Sequence, residues 1–234
     1  MSPPVRNAAG SPLWVSIEGR SGVGKTTAAR AVASAFGRRC LLVDELTDQP
    51  GDTLPGLVIA ALHATGGDSV FLRTGHPVAE TLAFLALQVH KAERLVGRDL
   101  TGVEVIVEDR GVDTVAACQA SILCSHYPQV RLEPVVQRVL SSLRRWSVFP
   151  DATILLTGDP AVCTERFGER IGHPLAARDV ALLDQIDDLY RAAAAADPGR
   201  FTALDVGGLS PSDSAAAVGE VVSMLLDRRV AHAS

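Results

Sequence analysis

Gly19-Arg20-Ser21-Gly22-Val23-Gly24-Lys25-Thr26-Thr27 is the stretch whose reading decides the fold. Its spacing is G-x-x-x-x-G-K-[ST], the phosphate-binding P-loop. Before it runs Leu13-Trp14-Val15-Ser16-Ile17-Glu18, an apolar segment that reads as a short buried strand. After it runs Ala28 to Phe36, which reads as a helix. The glycines let the chain curl so that successive N–H groups point at phosphate oxygens. The helix start behind them contributes about half a positive charge. In that setting Lys25 reaches the β- and γ-phosphates of a nucleotide, and the Thr26 hydroxyl is placed to meet Mg²⁺.

Outward from the loop, apolar runs alternate with helical periodicity. Arg38 to Val43 reads as a second strand ending at Asp44-Glu45, and Val103 to Val107 as a third ending at Glu108-Asp109-Arg110. Ala152 to Thr157 reads as a fourth and Phe201 to Val206 as a fifth. Helices are expected over Leu54 to Ala64, Pro77 to Gly97, 112–125, 133–146 and from Asp159-Pro160 through Arg166 and Arg170. Another is expected around Leu182 to Leu189, and a last one begins at Ser210-Pro211-Ser212-Asp213, where serine caps, proline opens and aspartate meets the dipole. This alternation predicts an α/β fold with a parallel sheet of about five strands flanked by helices. Ligands in such sheets bind beyond the carboxyl ends of the strands, where the P-loop, Glu45, Asp109 and Asp159 fall. Residues 1–11 read as a loose tail and 12–230 as one domain, with a lid at about 160–178.

Composition narrows the class. The chain has 234 residues, 47% hydrophobic and 21% charged, the balance of a soluble globular protein. A net charge of −5 argues against a broad nucleic-acid-binding face. Cys40, Cys118, Cys124 and Cys163 show no C-x-x-C pairing, and the six histidines show no metal-ligand spacing. The opening residues have no apolar h-region and no run approaches the ~18 residues of a membrane span, so a cytoplasmic location is expected.

With these residues in place, the sequence resembles the thymidylate kinase family of P-loop nucleotide kinases over roughly residues 13–228. Ile17-Glu18-Gly19 to Thr27 is similar to the family's strand and P-loop. Thr81 to Ala86 looks like its base-stacking helix, and Asp109-Arg110 with Ala117-Cys118-Gln119 resembles its Asp-Arg-Tyr…Ala-Tyr-Gln pattern. Pro150 to Leu156, followed by Glu165 to Arg170, looks like its last core strand and arginine-bearing lid. The resemblance implies an ATP- and Mg²⁺-dependent kinase acting on a nucleoside monophosphate, and a homodimer.

The departures lie on the acceptor side. Where the family has Asp-Arg or Asn-Arg after the stacking phenylalanine, this chain has Leu87-Gln88. Ser21 stands where the family often has an acid touching the sugar, Gly111 replaces the Tyr after Asp-Arg, and Cys118 the Tyr before Gln119. These changes predict an altered or broadened acceptor range.

The candidate roles follow. Lys25, Arg166 and Arg170 neutralise the transferring phosphoryl group, and the P-loop residues Gly19 to Thr27 hold ATP. Thr26 and Asp109 are the metal candidates. Arg110 presents a planar fork to an acceptor phosphate or the donor. Arg166 and Arg170 share a helix face, or form a solvated face with Glu165 and Glu169. Glu45, Phe84, Gln88 and Gln119 are the acceptor candidates; Phe84 reads more readily as core, and Glu45 as a sugar ligand, a base for a 5′-hydroxyl or a surface acid at a strand end. Two further readings stay open. One is a nucleoside kinase, the other a regulatory P-loop NTPase without catalysis on an acceptor.

Overall fold

The computed structural model describes residues 11–66 and 69–233, which form two compact units. Of the expected tail, residues 1–10 lie outside the described residues, as do Gly67 and Asp68 of the expected helix break.

The larger unit carries the sheet. Its strands are β1 (Leu13–Gly19), β2 (Cys40–Val43), β3 (Val105–Asp109), β4 (Ala152–Thr157) and β5 (Phe201–Asp205). All neighbours run parallel, in the order β2-β3-β1-β4-β5, as the strand–helix alternation predicts. β1 lies at the centre and is buried along its whole length. On one face Leu13, Val15, Ile17, Val107, Ile154 and Leu156 form a core with the helices α1 (Lys25–Phe36) and α8 (Pro211–Ala233). The alternate residues carry buried polar groups: Ser16 bonds Thr153 at 3.1 Å, and the Trp14 indole donates to Glu108 at 2.8 Å. The remaining helices of this unit are α6 (Pro160–Ile171) and α7 (Ala177–Ala196).

The strand boundaries differ from expectation where a turn intervenes. β2 starts at Cys40 rather than Arg38 because Gly37–Arg39 form a 3₁₀ turn, with Gly37 at a φ of 55°. The Arg39 side chain then pairs with Glu104, and the Arg39 carbonyl accepts from the Glu104 N–H. β3 starts at Val105 rather than Val103, whose N–H is bound in a turn to the Leu100 carbonyl. β5 ends at Asp205, whose carboxylate accepts from the Gly207 N–H and turns the chain. At the start of α8, Ser210 accepts from the Asp213 N–H, the cap foreseen in the sequence.

The smaller unit is helical. It contains α2 (Leu54–Gly66), α3 (Pro77–Val96), α4 (Val112–His126) and α5 (Leu132–Trp146). One cluster joins Leu46, Ile59, Leu72, Phe84, Leu87 and Val115; a second joins Val112, Ala116, Val139, Leu140 and Leu143. α3 and α4 pack along each other through these clusters.

Candidate active site

The P-loop joins the carboxyl end of β1 to α1. Gly24 precedes α1 at a φ of 104° and no side chain caps the helix, so its first N–H groups are left for an anion. α6, which follows β4, differs: its Asp159 carboxylate accepts from the N–H groups of Ala161 and Val162. One helix start is open to phosphate and the other is already filled by a carboxylate. Gly22 cannot be replaced, since a Cβ there would collide with the Cys163 carbonyl of α6. The Lys25 ammonium is buried and donates to the Arg20 carbonyl at 2.8 Å, across the loop it would serve. Thr26, at the first turn of α1, is half-buried, and Thr27 is exposed.

Asp109 and Arg110 leave the carboxyl end of β3, the strand beside β1. Ile17 and Asp109 are register partners. The Asp109 carboxylate is buried. Arg110 takes a φ of 62°, a left-handed conformation costing an arginine on the order of 1–3 kcal/mol. Two bonds hold the turn: the Arg110 N–H donates to the Ile17 carbonyl, and the Gly111 N–H donates to the Glu18 carboxylate at 2.8 Å. The Arg110 guanidinium reaches back to the P-loop, donating to Ser21 Oγ at 3.1 Å. Gly111 has a physical reason to lack a side chain. A Cβ there would stand 3.0 Å from a Glu108 carboxylate oxygen and 3.1 Å from one of Glu18.

On α6, Cys163 packs toward the P-loop, and Arg166 and Arg170 follow on the same side of the helix wheel, within about 60° of it. Both arginines are exposed, and neither pairs with Glu165 or Glu169 among the described residues; the Arg170 guanidinium lies over the Phe167 ring at 5.0 Å. Burial pushes the Cys163 thiol above its ordinary pKa, opposed by the positive charges of Arg20, Lys25 and Arg166. Beside the ends of β4 and β5 opens a cavity of about 640 Å³, lined by Leu155, Gly158, Asp159, Arg191, Ala203 and Gly207.

The acceptor candidates lie in the helical unit. Gln88 is completely buried, yet neither its amide oxygen nor its nitrogen has a hydrogen-bond partner. An unsatisfied buried polar group costs about 1–3 kcal/mol, so this amide is an unusual thing to keep in an apolar helix interface. On the same face of α3, two turns earlier, Thr81 donates from its hydroxyl to the Pro77 carbonyl and lies 3.1 Å from the Gln119 amide oxygen. Phe84 lies in the apolar cluster with Leu46, Ile59 and Leu72. Glu45 is half-buried at the end of the β2 connection, and its carbonyl accepts from Gln49.

Sequence reading missed two groups, Glu18 and Glu80, and read Arg20 as a phosphate-loop residue without its distant partners. Glu18 anchors the Arg110–Gly111 turn; the signal was an ionisable residue ending an otherwise apolar strand. Glu80 accepts from the Thr74 N–H and hydroxyl and the His76 N–H, fixing the loop before α3. Arg20 sends its guanidinium away from the loop, to Asp184 at 2.6 Å and Thr164 at 2.9 Å.

Comparisons with known proteins bear on this arrangement. The family model for thymidylate kinase matches residues 17–208. A thymidylate kinase of Bifidobacterium longum subsp. infantis is 32% identical over 200 residues, 83% of this chain and 79% of that protein. One from Cereibacter sphaeroides is 28% identical over 204 residues, 84% of this chain and 88% of its own length. A probable thymidylate kinase of Methanospirillum hungatei is 27% identical over 219 residues, 92% and 96% of the two chains.

Proposed function

The chain belongs to the thymidylate kinase family, and from that premise we propose that it transfers the γ-phosphoryl group of ATP to a nucleoside monophosphate. The observation that carries this reading is the P-loop unit. An uncapped helix start, the buried Lys25 and the Arg110 guanidinium bonded to Ser21 together favour phosphate groups at this end of the sheet. Phosphoryl transfer is catalysed by positioning and charge neutralisation, which is what these groups supply. Lys25 bridges the donor's β- and γ-phosphates, Arg110 forks onto the acceptor phosphate, and Arg166 and Arg170 meet charge that develops in transit. The cavity beside β4 and β5 has the size for the donor's base and ribose.

Mg²⁺ fits the donor set: the Thr26 hydroxyl and the Asp109 carboxylate are hard oxygen ligands, and phosphate oxygens complete such a sphere. When bound, it offsets the negative charge on the β- and γ-phosphates. We assign base recognition to Gln88 and Gln119 in the helical unit, with Glu45 toward the sugar and Phe84 as the apolar wall. A carboxamide carries both a donor and an acceptor, so Gln88 serves more than one base edge by flipping. The acceptor range is therefore wider than dTMP alone.

We further propose a second copy of the chain as partner, as the family resemblance implies. α2 is apolar around its circumference, and Leu54 and Leu57 are 56% and 58% exposed on it; Val78 and Leu82 are 53% and 61% exposed on α3. A homodimer through these two helices covers them. A cytoplasmic location fits a chain with no disulfide and no helix, among the described residues, long and apolar enough to cross a membrane.

The test of the reaction is product identification. With ATP and Mg²⁺, a nucleoside monophosphate is expected to yield its diphosphate and ADP. Phosphorylation of nucleosides alone would favour a nucleoside kinase. Inorganic phosphate as sole product would favour a regulatory NTPase.

A further inference from the structure

We propose that Arg20 is a positioning residue: a strut that ties the phosphate loop to α6, which carries the lid arginines, and to α7, and sets the distance between Lys25 and those arginines. The proposal rests on the lid reading given above.

Arg20 sits second in the P-loop, yet its side chain is not directed at the phosphates. It is 3% exposed. One terminal nitrogen donates to Asp184 of α7 at 2.6 Å, and the other to the Thr164 hydroxyl of α6 at 2.9 Å. α6 ends at Ile171 and α7 begins at Ala177, so these two helices flank the turn at 172–176. Its backbone carbonyl meanwhile accepts the Lys25 ammonium at 2.8 Å. One residue therefore holds the donor-binding lysine at one end and both α6 and α7 at the other. The contact of Gly22 with the Cys163 carbonyl gives α6 a second point of support on the same loop.

A purely structural tie would not need this chemistry. Burying a guanidinium is costly, and a well-packed apolar side chain serves stability as well or better. Here the Arg20 Nε is buried without a partner, an added cost that packing alone does not explain. What the guanidinium does supply is a rigid planar fork with two charge-assisted or polar bonds at fixed angles. Thr164 lies just before Arg166, so fixing Thr164 fixes the origin from which Arg166 and Arg170 project.

The test uses Asp184, whose side chain is 58% exposed. Asp184→Ala is expected to lower kcat about tenfold, the worth of a charge-assisted bond, while changing the KM for ATP less than twofold. Thr164→Val is expected to act in the same direction. In an Arg166→Ala, Arg170→Ala background, Asp184→Ala is expected to add nothing further, because the strut acts through those arginines. A full tenfold loss persisting in that background, or an unchanged kcat in Asp184→Ala alone, would overturn the strut and leave the lid standing. If Arg166→Ala, Arg170→Ala itself left kcat unchanged, the lid reading would fail and the strut with it.

Discussion

The phosphate loop and the α3–α4 interface keep buried polar groups on opposite terms. In the loop, Lys25 is held by the Arg20 carbonyl, Arg110 reaches Ser21, and Glu18 fixes the turn carrying Arg110. In the helical unit, Gln88 has neither amide atom bonded. A bonded polar network, here with the Arg20 Nε left over, is pre-organised for one ligand geometry and resists change. An unsatisfied amide is a standing cost that a ligand can relieve, and it constrains that ligand weakly. Donor chemistry is expected to be rigid and acceptor choice adaptable.

The largest effect tests the rigid half. Lys25→Ala is expected to lower kcat by about a thousandfold without loss of fold, since it removes the charge at the β/γ bridge. Circular dichroism would confirm the fold, and unchanged turnover would break the assignment of the loop. Next come the lid arginines. Arg166→Ala or Arg170→Ala is expected to cost about a hundredfold in kcat for the more important of the two, with KM changed less. Steady-state kinetics with ATP varied separates the two terms; loss in KM alone would make this face a binding surface only.

The adaptable half gives a smaller, paired effect. Gln88→Leu is expected to raise stability by about 1 kcal/mol in denaturant titration, because it removes a buried unsatisfied amide. The same change is expected to flatten preferences among acceptors while leaving the KM for ATP unaltered. Destabilisation would mean that Gln88 has a structural role. The smallest effect concerns Asp187, whose carboxyl is pushed above the ordinary range by burial, against the pull of Arg191 and Arg20. Because its folded pKa is raised, the native state holds its proton more tightly than the unfolded state does. Its contribution is full below the unfolded pKa and is lost as pH rises through the folded one. Asp187→Asn is therefore expected to be slightly more stable than the parent at neutral pH, with the gap closing under acid. A gap that widened under acid would contradict the burial argument.

What was legible in the sequence follows the same division. The P-loop could be read because its function needs fixed backbone geometry at fixed spacing, and β4 could be placed from Ala152 to Thr157 because it is a continuous apolar run between turn residues. β2 and β3 started later than read, because turns intervene at Gly37–Arg39 and Leu100–Val103: Arg39 of the first is bound to the distant Glu104, which local pattern does not carry, and the second closes on its own Val103 N–H to Leu100 carbonyl bond. Arg20 was read as part of the loop, but its partners Thr164 and Asp184 lie more than 140 residues away. The replacement at Gln88 was visible only against the family. That its amide lacks a partner was not, since satisfaction depends on neighbours in three dimensions. Gly111 shows the same limit: its missing side chain makes room for Glu18 and Glu108, which the sequence places on separate strands.

The most direct test of a fixed donor site and an altered acceptor choice is a competition at limiting ATP and Mg²⁺ among dTMP, dUMP, dCMP, dAMP and dGMP. Diphosphate products would be resolved by mass spectrometry for the parent chain and for Gln88→Arg. The expected result is that the parent phosphorylates at least one other monophosphate within about tenfold of dTMP, the discrimination worth roughly one hydrogen bond. Gln88→Arg is expected to shift the ranking toward dTMP with the KM for ATP unchanged. Exclusive phosphorylation of dTMP by the parent, or the same ranking in both proteins, would contradict it.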